Sequence, residues 1–137
     1  MRGMIALVLV AGSTLLLACA SRNGPLDLPA KADPAAAKAN ELGAAHYKLG
    51  DADEGHWIIA RGYFEEAIKI EPRLPEPHYN LALTLDKLGA HPDATAEFKK
   101  AAELAPDNTA ITRSQAYRNH LEPGPSRESG SRGTGGY

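Results

Sequence analysis

Four residues return along the chain at a single spacing. Ala60, Phe64, Ala67 and Pro72 recur as Ala94, Phe98, Ala101 and Pro106, each 34 residues later, and Ile70 pairs with Leu104 at the same offset. Within each set the small, large and small residues stand at i, i+4 and i+7, which lines one face of an α-helix. The alanines let a neighbouring helix approach closely, and the phenylalanine fills the space between the two. Further upstream Leu42, Gly43 and Leu49-Gly50 correspond to Leu81, Ala82 and Leu88-Gly89, now at an offset of 39. Self-similarity of this kind marks stacked units, none of which can bury its apolar face alone.

The punctuation between the stripes divides the chain into helices. Pro72 and Pro106 end the second helix of each unit, because proline cannot continue a helical hydrogen-bond ladder. Gly50 and Gly89 suit helix ends at which the backbone turns to positive φ. Asp33-Pro34 offers a capping side chain followed by a proline at the first helical position, and His91-Pro92 places a proline in another first turn. Helices are predicted near 34–49, 56–70, 76–88 and 92–104, with an end helix over 109–121 between Asp107-Asn108 and Pro123.

The pattern small-x3-Phe-x2-Ala with a closing proline, at a period of 34, resembles the tetratricopeptide repeat. The resemblance covers about residues 36–106 plus the final helix. It implies an all-α fold: two helix-turn-helix repeats, at about 36–72 and 75–108, and an end helix at 109–121, in a short right-handed solenoid over 34–121. His78 stands where the family commonly opens a repeat with tryptophan. In similar proteins the first helix of each repeat lines a concave groove that holds a peptide or a partner's helix. Carried over position by position, the first repeat would contribute Asn40, Ala44, Tyr47 and Lys48 to that groove. The second would contribute Glu76, Tyr79, Leu83, Asp86 and Lys87, and the end helix Arg113 and Tyr117. Tyr79 and Leu83, on the central helix, are the expected floor. Tyr47 and Tyr117 are read equally as packing against neighbouring helices. The family's clamp for a C-terminal carboxylate is matched only by Asn80. Ala44, Ala110 and Ser114 depart from it, which argues against a receptor for chaperone tails.

The two offsets differ by five, so the first unit carries five extra residues, placed at Ala52–His56. They are expected to lengthen the loop at that corner. Trp57, Ile58 and Ile59 follow directly, where the family usually has charged residues at the last two. Two readings of the isoleucines stand. They form an apolar contact patch, or the longer loop folds back over them.

The N-terminus carries a different signal. Arg2 precedes an almost wholly apolar run from Met4 to Leu17, the length of a secretory leader's core and short of a bilayer span. Leu16-Leu17-Ala18-Cys19 resembles the bacterial lipobox, with Leu17 where a smaller residue is commoner. The resemblance implies a signal peptide at 1–18, diacylglycerol and a further acyl chain (palmitate-type) on Cys19, and a linker over 19–33. Ala20 rather than aspartate follows the cysteine, which in such lipoproteins favours the outer membrane, with the domain facing the periplasm. An uncut N-terminal anchor, or an ordinary signal peptide with an incidental cysteine, are the alternatives. The tail from Glu122 to Tyr137 contains no Val, Ile, Leu or Phe and is expected to be disordered.

Charge and motifs exclude more than they suggest. A formal net charge of −2 leaves no basic face for nucleic acid. The five histidines form no HExxH and no close ligand pair in sequence, and are read as structural or solvated residues, with no metal and no cofactor. Asp51, Asp53 and Glu54 lack the glycine and glutamate positions of a calcium loop. No nucleophile elbow or phosphate loop is present, so an enzyme, including one acting on the cell wall, is disfavoured. The expectation is a membrane-tethered adaptor that binds a protein partner of the envelope-assembly or wall machinery. A self-oligomerising repeat protein is the alternative.

Overall fold

The computed structural model describes residues 24–122, so the leader, Cys19 and the tail from Pro123 lie outside the described residues. Those described form an all-helical fold: α1 (Pro34–Leu49), α2 (Gly55–Ile70), α3 (Pro75–Lys87), α4 (His91–Leu104), α5 (Thr109–Thr112) and α6 (Gln115–Leu121). α1 packs most extensively on α2 and α3 on α4, and α2 joins the two pairs by packing on α3. None of these helices is long and apolar enough to cross a membrane.

The repeated stripe is the core. Ala60, Phe64, Ala67, Ala94, Phe98 and Ala101 are all fully buried. α1 packs on α2, and its buried small residues Ala36, Ala39, Gly43 and Ala44 are spaced to share one helical face. The Phe64 ring lies so close to Gly43 that a Cβ there would sit 2.7 Å from its Cε1 atom. α3 is enclosed nearly all round, from Pro77 to Leu85, as befits the central helix of the stack.

Capping follows the sequence at several ends. The Asp33 carboxylate accepts from the Ala35 N–H with Pro34 at the first helical position, and Gly89 turns the chain at φ 77°. Gly50 differs: its φ is −62°, an ordinary right-handed value. Glycine is required there for room, because a Cβ would run into the Trp57 indole. The five extra residues of the first unit also divide differently from expectation. Gly55 and His56 are helical, so two of the five extend α2 and three lengthen the loop.

The expected single end helix is broken in two. Ser114 leaves helical geometry at ψ 148° and its hydroxyl accepts from the Tyr117 N–H, which starts α6 afresh. Asn108 caps α5 in the same way through the Ala110 N–H. Serine and asparagine side chains compete with the helical ladder for backbone donors, and here the competition ends α5 after one turn. Ile111, fully buried, pins that turn to the core.

Candidate functional site

Two buried asparagines meet between α1 and α3. Asn80 is 0% and Asn40 2% exposed. The Asn80 Nδ2 group donates to Asn40 Oδ1 at 2.7 Å. Both then turn to the segment that precedes α1. Asn80 Oδ1 accepts from the Leu26 N–H at 2.6 Å, and its Nδ2 donates to the Leu26 carbonyl at 2.8 Å. Asn40 Nδ2 donates to the same carbonyl at 2.9 Å. The N–H and C=O of one residue point to the same side when its backbone is extended, so the pair of amides holds Leu26 much as a neighbouring strand would. The Leu26 side chain packs against the hydrophobic core. At the end of the segment the Asp33 N–H donates to Glu71 Oε2 at 2.9 Å, which ties it to the far end of α2. The arrangement recognises main chain through carboxamides and side chain through an apolar seat, the two elements of strand-like peptide recognition.

The expected groove residues are dispersed by the fold. Asn40, Tyr79 and Leu83 are buried, at 2%, 0% and 3% exposure, so the latter two are core and form no open floor. Tyr79 turns to α4, its ring edge-on to Phe98 at 5.6 Å. Burial raises its pKa, with the nearby Ser114 hydroxyl offsetting part of the effect. Tyr47 is partly buried against the core. Burial first, and the Asp51 charge second, push its phenol up to about 12. Tyr117 packs edge-on against Phe98 at 6.4 Å, beside α4. It lines a surface cavity of about 390 Å³ with Lys99, Pro106 and Leu121, away from the asparagines. Lys87 is engaged with Asp51 at 2.9 Å and lies 5.1 Å from the centre of the Trp57 ring. Arg113 is exposed at the break between α5 and α6.

At the α2 corner Trp57 is buried and its indole N–H donates to the Tyr47 carbonyl at 3.2 Å. Ile58 and Ile59 remain 65% and 44% exposed, so the loop does not cover them.

Four of the five histidines, separate in sequence, are brought together in two pairs. His46 and His56 meet Nδ1 to Nδ1 at 2.8 Å. His91 and His120 converge on Asp86. His78, with 8% of its side chain exposed, lies 2.7 Å from Glu97 and 3.0 Å from the Pro72 carbonyl. The sequence reading missed Leu26 as well, although Pro25-Leu26-Asp27-Leu28-Pro29 carries a signal. Two leucines at a spacing of two, each next to a proline that disfavours helix, suit an extended half-buried strand.

Comparison with family models and with curated proteins finds no match to this chain.

Proposed function

We propose that this chain is a peptide-binding adaptor of the tetratricopeptide type, a short right-handed solenoid tethered to a membrane through lipid on Cys19. The observation that carries the reading is the grip of Asn40 and Asn80 on the Leu26 backbone. A site that holds an extended chain by its amides can hold another of the same kind, and the chain's own segment is then the resident competitor. A partner segment would place an apolar residue where Leu26 sits. The tether follows from chain length. Leu26 lies seven positions after Cys19, a reach of at most about 25 Å when extended. Docking of Leu26 would hold the domain close to the membrane, and its displacement would lengthen the leash.

Leu26→Asp in the full chain is expected to expel the resident segment. A labelled peptide spanning residues 23–31 should then bind at least about tenfold more tightly than to the unsubstituted protein, the resident's competition being removed. Adding Asn80→Ala should abolish that binding, with helix content checked by circular dichroism. Peptide binding that is absent from the Leu26→Asp protein, or indifferent to Asn80→Ala, rules the groove reading out. Cys19→Ser tests the anchor separately: the protein should leave the detergent phase or remain as an uncut precursor.

A second reading rests on the exposure of Ile58 and Ile59. An apolar pair at the start of α2 fits a partner surface or a second copy of the chain. Ile58→Asp with Ile59→Asp should abolish partner capture, or turn a dimer into a monomer on gel filtration, if that corner is the working surface.

A further inference from the structure

We infer that Asp86, His91 and His120 form a binding site for a divalent first-row transition-metal ion of the zinc type. Three helices supply it. Asp86 lies in the last turn of α3, His91 opens α4, and His120 lies in α6. The turn between the first two is tight: Gly89 takes positive φ, and the Ala90 N–H returns to the Leu85 carbonyl at 2.9 Å. This folds His91 back over Asp86. His91 Nδ1 and His120 Nε2 each lie 2.9 Å from the same oxygen, Asp86 Oδ1. The three donor atoms all fall within 4.8 Å of one another.

The hydrogen bonds around His120 decide what its ring presents. The Thr95 hydroxyl donates its one proton to the His91 carbonyl at 2.9 Å. In that orientation it accepts from His120, whose Nδ1 lies 2.9 Å away. With the proton on Nδ1, the neutral ring turns the lone pair of Nε2 toward a carboxylate oxygen at hydrogen-bond distance. Two lone pairs repel there. A cation among the three donors would satisfy both lone pairs. Two imidazoles and a carboxylate are the donor set that zinc and its neighbours prefer. A metal-bound histidine usually donates its far N–H to a fixed acceptor, a place the Thr95 hydroxyl can fill here. For metal–donor distances of about 2.0–2.2 Å, each nitrogen would part from Asp86 Oδ1 by a few tenths of an ångström.

Access and preorganisation also fit. The His120 side chain is 10% exposed and its ring rests on Phe98 at 5.1 Å, so it is held in place. The His91 side chain is 66% exposed, which leaves a route from solvent and an open coordination position. The ion would fasten α6, a seven-residue helix with no buried residue, to the second helix pair. Helices this short have little stability of their own.

The test is calorimetric titration of the chelator-treated full chain with Zn²⁺, followed by thermal unfolding with and without the ion. One equivalent should bind with micromolar affinity or better, raising Tm by several degrees. His91→Gln, at an exposed position that folding tolerates, should weaken binding at least about tenfold, and Thr95→Val should weaken it through His120 alone. His46→Gln should leave it unchanged, which separates this site from the other histidine pair. The proposal is overturned if no stoichiometric uptake occurs. It is also overturned if His91→Gln binds as well as the parent, or if only His46→Gln removes the ion. A folded protein indifferent to Zn²⁺ leaves the cluster as a hydrogen-bonded contact between the helices.

Discussion

Asn80 holds Leu26 by both ends of one carboxamide, accepting from its N–H at 2.6 Å and donating to its carbonyl at 2.8 Å across 54 residues of sequence. The same carboxamide donates to Asn40, so α1, α3 and the leading segment meet at a single polar point inside an apolar stack. Buried amides are tolerable only when their partners are present. Asn80→Ala would orphan the Leu26 N–H and the Asn40 oxygen together. The expected loss is about 1–3 kcal/mol of unfolding free energy. Urea denaturation measures it. Hydrogen exchange supplies the local readout, since the Leu26 amide should exchange much faster, and an unchanged rate would mean that the clasp is not formed in solution.

Phe64 and Phe98 are the repeated large residues, and both are wholly buried. Truncating either to alanine should cost about 3–5 kcal/mol. A small domain has roughly 5–15 kcal/mol in all, so each variant should melt far below the parent. Phe98→Ala should also loosen α6, because Tyr117 and His120 both rest on that ring. A shift of only a degree or two in either variant would show that the stripe is not the core.

Two helical glycines are expected to respond oppositely to alanine. Gly62 has open space around it, so Gly62→Ala should stabilise the protein by about 0.5–1 kcal/mol through helix propensity and lost chain entropy. Gly43 faces the Phe64 ring, and an added methyl there must displace it, at a cost of about 1–3 kcal/mol. Chemical denaturation of the two variants side by side gives the comparison. Equal signs would contradict the close approach of α1 to α2.

His78 should make stability depend on pH. Burial alone would lower its pKa, but the hydrogen bonds to Glu97 and the Pro72 carbonyl, with the Glu97 charge, outweigh burial and raise it above the ordinary value of 6.5. A folded-state pKa above the unfolded one means that the imidazolium stabilises the fold. That contribution is complete below about pH 6.5 and fades as pH rises through the folded value. Urea midpoints measured across this window in chelator, so that no metal intervenes, should fall with rising pH. Glu97→Gln should flatten the slope, and an unaltered slope would remove the pair as its source.

The helices themselves were legible because their signals are local. A phenylalanine between two alanines at helical spacing, repeated after 34 residues and closed by proline, specifies which face is buried without reference to the rest of the chain. The capping aspartate before Pro34 and the positive φ of Gly89 belong to the same class, each set by a neighbour or two. Other residues took their meaning from partners far away. Gly50 is small for an indole seven positions on, not for its own backbone angle. Tyr79 and Leu83 are expected in a groove by repeat register, yet lie in the core, where Tyr79 meets the Phe98 ring on α4. Leu26 finds Asn80, and Asp86 finds His120 at a separation of 34, only after the helix pairs have stacked. Helical periodicity reports which face of a segment is apolar. It carries no information on which distant polar groups that packing will bring within 3 Å of one another, and in this protein those meetings make both candidate sites.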